Sequence, residues 1–245
     1  MFDIEYFKNL DQTNSFLAGI DEVGRGPLAG PVVACTVLIE QIEKNQNEFE
    51  NLLELLSSFK VTDSKKLTEE KRNMIIENLS ISLVAHQELK IKISKNSTLK
   101  YYIQEISVDE IDKVNILNAS LKAMKLSFES LNVKNGIVLI DGNKKFKTAS
   151  QAELITIVKG DSKSLLIGLA SIIAKEYRDR LMSELSQKYP YYDWSSNAGY
   201  GTKKHLEGIS IYGITSHHRK TFKGVREVYE QREVLWESAI KEAKF

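Results

Sequence analysis

Between Phe16 and Ile39 two apolar runs, FLAGIDEV and PVVACTVLI, flank GRGPLAG, a stretch rich in turn-forming residues. Apolar runs of strand length on either side of such a turn read as a hairpin, so the chain must be built around a sheet that contains it. Further strands and helices follow. Thr68 is placed to cap a helix whose first turn carries Glu69 and Glu70, where carboxylates complement the helix dipole. ISLVAHQEL and IKIS read as a third and a fourth strand. From Val108 to Leu131, the residues Ile111, Val114, Leu117, Leu121, Met124 and Phe128 recur at the period of one continuous helix. GIVLI, residues 136–140, reads as a buried strand that stops at the Asp141-Gly142-Asn143 turn, and LITIVKG as another that stops at Asp161. A long helix is expected from Ser164 to Lys188, a shorter one from a Thr202 cap to near Gly213, and a charged C-terminal one from Val225 to Lys244. Residues 40–60, polar and then amphipathic, read as an excursion at the surface. This order implies an α/β fold, a mixed central sheet flanked by helices, with a C-terminal helical region.

With 245 residues, 42% of them hydrophobic, the chain can bury one substantial core. The expected organisation is a single domain, with an α/β core over residues 15–190 and a C-terminal helical region over 191–245. The lone cysteine, Cys35, lies inside an apolar run, which excludes a disulfide framework and a thiolate metal site and makes it a small core residue. No signal-peptide pattern opens the chain, and no stretch approaches the roughly 20 apolar residues that span a bilayer. The expectation is a soluble cytoplasmic protein that does not engage membranes. With a net charge of +1, contact with a polyanion must come from a local patch.

Asp21 and Glu22 stand in the first apolar run beside Ala18, Ile20 and Val23, where an ionised carboxylate is disfavoured unless it is paired or metal-bound. Side chains alternate along a strand, so both acids serve one site only near the strand's end or at an irregularity. Asp141 and Asp161 stand at two further strand ends. Singly, each has an ordinary reading: Glu22 faces solvent, Asp141-Gly142 makes a common turn, and Asp161 caps a helix. Together, adjacent strand ends can gather all four. Mutually repelling carboxylates then require cations, and an all-oxygen donor set suits Mg2+ or Mn2+ and not Zn2+.

Seven blocks occur in order: GIDEVGRGPLAGPVVA at 19–34, DSKKL at 63–67, NILNASLKAM at 115–124, LIDGN at 139–143, VKGDSKSLLIGLASIIAKEYRDRLM at 158–182, GYGTKKHLEGI at 199–209 and HHRKTF at 217–222. Over residues 17–222 the chain thus resembles bacterial ribonuclease HII, the type 2 ribonuclease H. The resemblance implies a ribonuclease H-like fold and a two-metal site for Mg2+ or Mn2+ in which Asp21, Glu22, Asp141 and Asp161 are both the catalytic acids and the metal ligands. It assigns the Gly24-Arg25-Gly26 turn to recognition of the ribonucleotide. Glycine lets backbone groups approach the 2′-hydroxyl that distinguishes RNA from DNA, and Arg25 offers donors suited to phosphate. Tyr200 resembles the family's tyrosine that packs on the deoxyribose beyond the ribonucleotide. Ser64, Lys65 and Arg219 are expected phosphate contacts, with Lys203, Lys204, Lys220 and Lys223 extending the patch. Asp179, inside a helix beside Arg178 and Arg180, reads as a structural ion-pair partner, and adjacent His217 and His218 do not read as metal ligands.

What the resemblance implies in function is endonucleolytic cleavage on the 5′ side of ribonucleotides, in RNA·DNA hybrids and in duplex DNA with single embedded ribonucleotides, leaving 3′-hydroxyl and 5′-phosphate ends. The associated roles are DNA repair and replication, by a monomer with no obligate protein partner. The 40–60 segment and Tyr191-Tyr192-Asp193-Trp194 depart from the common family pattern, which bears on the substrate groove and not on the acids. A nucleotide-binding loop at GRGPLAG is disfavoured because no GK[ST] follows the glycines.

Overall fold

The computed structural model describes residues 2–10, 15–40, 46–92 and 98–231. Helix α1 (Phe2–Lys8) precedes the strands β1 (Ser15–Val23) and β2 (Val32–Glu40). Helices α2 (Gln46–Ser58) and α3 (Glu69–Asn78) lead to β3 (Glu88–Lys92) and β4 (Thr98–Ile106). Then come α4 (Val108–Val114), α5 (Ile116–Glu129), β5 (Asn135–Asp141) and β6 (Glu153–Ile157), followed by α6 (Leu165–Lys188), α7 (Trp194–Asn197) and α8 (Lys203–Tyr212). Residues 226–231 are helical, and the remainder of the expected C-terminal helix lies outside the described residues.

Six strands form one mixed sheet in the order β3-β4-β2-β1-β5-β6. The expected hairpin is present as antiparallel β1 and β2, while β5 runs parallel to β1, and β6 parallel to β5. Both faces of the central strands are covered, which is why β2 is buried along nearly its whole length and its sequence is continuously apolar. Helix α6 lies directly on β1. A Cβ at Gly19 would fall 2.4 Å from the Ile167 backbone nitrogen, so only glycine permits this approach.

Contacts divide the chain into two compact units. The first comprises Met1–Val23, Val33–Glu105 and Ser120–Tyr177; the second comprises Gly24–Val32, Ile106–Ala119 and Arg178–Phe245. The first holds the sheet and a core that includes Leu17, Val37, Leu139 and Ile173. The second has its own core of Leu28, Met182, Tyr192, Trp194, Ile209 and Val225.

Local signals hold where a side chain closes an element. Thr68 caps α3 by accepting from the Lys71 amide, and Thr202 caps α8, which ends at Gly213. Four expectations are corrected. The helix expected over 108–131 breaks at Asn115, whose φ is 68° and whose side chain accepts from the Asn118 amide. Asn115 thereby starts α5 afresh, and Leu117 turns outward at 38% exposure. The third strand is Glu88–Lys92, shifted from the expected run, and the fourth is β4, beyond residues 93–97, which lie outside the described residues. The strand expected to run to Asp161 ends at Ile157. Of the expected surface excursion, residues 41–45 lie outside the described residues, and α2 inserts Phe49, Leu52, Leu53 and Leu56 into the core.

Candidate active site

Parallel pairing decides where the acids fall. The register of β1 and β5 runs from Ser15 opposite Asn135 to Ile20 opposite Ile140, so the next residue on each strand is an acid, Asp21 or Asp141. On the other side of β5, β6 ends with Ile157 opposite Asp141. After Val158 and Lys159, a 3₁₀ turn over Gly160–Ser162 carries Asp161. Carboxyl ends of neighbouring parallel strands open on one edge of a sheet, where the sites of α/β proteins form.

The backbone is fitted to these carboxylates. Asp21 Oδ1 accepts from the Glu22 amide at 2.7 Å, and Asp141 Oδ1 accepts from the Gly160 amide at 2.6 Å, which ties the Asp161 turn to β5. Asp21 and Asp161 are buried, at 4% and 7% exposure, while Glu22 and Asp141 are half-buried. Burial, reinforced by the Glu22 and Asp141 charges, holds the Asp21 carboxyl well above the usual carboxylate range, against the Ser171 hydroxyl and the Glu22 amide. Burial also raises Asp161, helped by Asp141 and Asp63, with Lys65 opposing. Desolvation works to lower the Lys65 ammonium, yet the joint pull of Asp21, Asp161, Asp63 and Asp141 raises it. Asp141 is thus within electrostatic range of both Asp21 and Asp161, with Glu22 beside Asp21. Among the described residues, no group of three His, Cys, Asp or Glu side chains is closed into a ready set of metal ligands.

Ser64 does not face outward as a phosphate contact would. It is buried, its hydroxyl lies 2.9 Å from Ser171 Oγ, and its carbonyl accepts from Arg72 at 3.4 Å. Arg72 Nε in turn donates to Glu176 at 2.5 Å, a buried ion pair that holds the Asp63–Lys66 turn from behind. Asp63, Ser171, Arg72 and Glu176 had no signal of their own in the sequence, because their roles depend on elements far apart along the chain.

In the second unit, Arg25 and Gly26 are exposed at the tip of the Gly24–Pro31 loop. Gly24 has a φ of +93°, and a Cβ there would fall 2.4 Å from Arg178 Nε. Two fully buried guanidinium groups support the loop. Arg178 donates to the carbonyls of Ala29, Pro31 and Ala198 at 2.8–3.0 Å. Arg219 donates to Gly24, Arg25, Gly30 and Pro31 at 2.6–3.2 Å. Burial lowers Arg178 to about 10, and burial together with the Arg178 charge lowers Arg219 to about 9. Arg219 therefore has no face to offer a phosphate, which corrects the sequence expectation. Arg178, read only as a neighbour of Asp179, is the partner that reading missed. Tyr200 is 47% exposed, and its ring lies 3.2 Å from where a Cβ on Gly26 would stand.

Lys203, Lys204, His205 and His218 are committed locally. Lys203 pairs with Glu207 and Lys204 with Asp193 at the surface. His218 lies in a buried network: its Nε2 is 3.1 Å from His205 Nε2, its Nδ1 accepts from the Thr215 amide, and Trp194 Nε1 donates to His205 Nε2. Burial, with His205 nearby, lowers His218 to about 3. No helix among the described residues is long and apolar enough to cross a membrane.

Comparison with known proteins follows the same lines. The chain matches the family model described as Ribonuclease HII over residues 18–225. It is 46% identical to Ribonuclease HII of Rickettsia akari (strain Hartford) over 210 residues, 86% of this chain and 92% of that protein. The crystal structure of the ribonuclease H2 from Pyrococcus horikoshii OT3 superposes with a TM-score of 0.64 at 26% identity, covering 88% of this chain and 98% of that one. The structure of Bst-RNase HIII in complex with Mn2+ shares the fold, with a TM-score of 0.54 at 14% identity over 92% of this chain and 72% of that one.

Proposed function

Because the chain belongs to the ribonuclease HII family and is therefore a ribonuclease H endonuclease, we propose that its substrates are RNA·DNA hybrids and single ribonucleotides embedded in duplex DNA. Hydrolysis falls on the 5′ side of the ribonucleotide and leaves 3′-hydroxyl and 5′-phosphate ends, serving ribonucleotide removal from DNA and degradation of RNA primers. The observation that carries this reading is the register that ends β1 and β5 on Asp21 and Asp141, with the Asp161 turn bonded to Asp141.

The donor set suits a hard divalent cation. It is all carboxylate, and burial together with like-charged neighbours disfavours the anionic forms of Asp21 and Asp161, a penalty that a shared cation relieves. Asp21, Glu22, Asp141 and Asp161 would hold Mg2+ or Mn2+; the Mn2+ complex of Bst-RNase HIII is in keeping with this. A bound pair of such ions supplies an attacking water of lowered pKa and a counter-charge for the departing 3′-oxygen. Lys65, drawn toward the same acids, orients the phosphate. Gly24, Arg25 and Gly26 present backbone groups and a guanidinium to the ribonucleotide, and Tyr200 packs against the adjoining sugar. Ser64 acts from beneath by holding the turn that bears Lys65, and Arg219 by holding the Gly24–Pro31 loop.

The test is a labelled duplex with one embedded ribonucleotide, incubated with Mg2+ or Mn2+. The expected product is a single cut 5′ to the ribonucleotide, while Asp141→Asn binds the duplex and leaves it whole. A wild-type chain that cuts long hybrids but spares this duplex would refute the embedded-ribonucleotide assignment, and an active Asp141→Asn would refute the assignment of the acids.

A further inference from the structure

Asp3 lies outside the segment matched by the family model, which begins at residue 18, and the mechanism above does not use it. It is fully buried. Helix α1 is seated by Phe7, whose ring stacks on Phe49 of α2 with centroids 3.9 Å apart. This seating delivers the Asp3 carboxylate to the start of α6. One oxygen accepts from Ser164 Oγ at 2.5 Å, and the other accepts from the Leu165 amide at 2.8 Å. A buried carboxylate is costly unless bonded, and the first amides of a helix lack partners within it, so each satisfies the other. Asp3, 161 residues away along the chain, thus adds to the cap given by the residue preceding the helix, Ser164, whose Oγ accepts from the Ile167 amide at 3.2 Å.

The start of α6 is also the end of the turn that bears Asp161. The Gly160 carbonyl accepts from the Lys163 and Ser164 amides at 2.9 and 2.8 Å, and the Gly160 amide is bonded to Asp141. Lys159, which opens the turn, has a φ of 56°, a conformation that a residue with a Cβ adopts only when its surroundings impose it. Ser164 therefore joins two anchors: its amide holds Gly160 and its hydroxyl holds Asp3. Without Asp3, the α6 end of the turn keeps the bonds of Ser164 to Gly160 and Ile167 and the packing of α6 on β1, but loses the clamp on the Ser164 hydroxyl and the Leu165 amide.

We infer that Asp3 is a positioning residue for the catalytic acids: by clamping Ser164 and Leu165, it fixes the turn that sets Asp161 and the Gly160 amide against Asp141. This rests on the assignment of Asp141 and Asp161 to the metal site. The test compares the full-length wild type with Asp3→Ala, Asp3→Asn and Ser164→Ala, each checked for folding by circular dichroism. The readouts are Mn2+ affinity by titration calorimetry, and kcat and KM on the duplex with one ribonucleotide.

Asp3→Ala is expected to weaken Mn2+ binding about 10-fold and to lower kcat by a similar factor with KM for the duplex unchanged, as loss of a group that orients metal ligands does. Asp3→Asn keeps an acceptor for the Leu165 amide and recovers most of both. Ser164→Ala falls between. An Asp3→Ala variant that melts earlier yet matches the wild type in Mn2+ affinity and kcat overturns the inference and leaves a structural staple. If Asp3→Ala does not fold, Ser164→Ala decides alone, with wild-type values overturning the inference. A wild type that does not cut overturns the functional reading and the inference with it, whereas a wild type that cuts beside an equal Asp3→Ala overturns the inference only.

Discussion

At the ends of β1 and β5, charges of one sign are buried in range of each other; beneath the Gly24–Pro31 loop, two buried guanidinium groups meet carbonyl oxygens. Both regions place ionised groups where water is scarce, and they resolve the cost in opposite ways. The loop is complete in itself, since Arg178 and Arg219 between them occupy the carbonyls of Gly24, Arg25, Ala29, Gly30 and Pro31. The acids are not, because Asp21 repels both Glu22 and Asp141. A region of the first kind is scaffold, and its residues trade in stability. A region of the second kind stores a penalty that a bound cation relieves, and its residues trade in activity.

The sharpest way to break this contrast is to remove one acid. Asp21→Asn is expected to lower cleavage about 1000-fold, the scale of losing a principal electrostatic group. Its metal-free melting temperature should match or exceed the wild type's, because a repulsion has gone. Saturating Mn2+ should stabilise the wild type by about 2.7 kcal/mol at a hundred times Kd and leave the variant nearly unmoved. Calorimetry with and without chelator reads both, and a variant that loses several kcal/mol without metal would place the acids among the scaffold.

The opposite substitution is Arg219→Ala. It removes the guanidinium that the carbonyls of Gly24, Arg25 and Gly30 accept from, and is expected to cost about 3 kcal/mol in urea denaturation. Arg219→Lys should recover little, since one ammonium lacks the fork that reaches several carbonyls at once. Mn2+ affinity should stay within two-fold of the wild type. A full-stability Arg219→Ala would mean that the loop does not depend on its buried cation.

The two regions were also unequally legible. Asp21, Asp141 and Asp161 stood out because each ends or interrupts an apolar run, but the sequence could not align β1 with β5, since the residues that pair are over a hundred positions apart. The ordered blocks supplied that grouping by resemblance. Arg219 was misread because an arginine among His-His-Arg-Lys reads as surface, and only the folded loop shows that its partners are carbonyls. Ser64 was misread for a similar reason, as Ser171 lies on another element. The break at Asn115 was invisible because apolar spacing continues through it, and β4 was passed over because Lys100, Gln104 and Glu105 dilute its alternation.

A third buried arrangement sharpens the comparison with a smaller effect. His218 is fully buried and held neutral, with a pKa near 3 set by burial and the neighbouring His205. An unfolded histidine takes up its proton near pH 6.5. Below that value the unfolded chain binds a proton that the folded chain refuses, so the stability present at neutral pH is lost as pH falls from about 6.5 toward 3. The slope from this one group is about 1.4 kcal/mol per pH unit. Urea denaturation at several pH values between 7 and 5 should show it, and His218→Gln should flatten the curve by that amount while losing some stability at pH 7 through the Thr215 contact. Equal slopes for the wild type and the variant would mean that His218 takes up its proton within the fold, and that a buried cation can be accommodated there as it is beneath the Gly24–Pro31 loop.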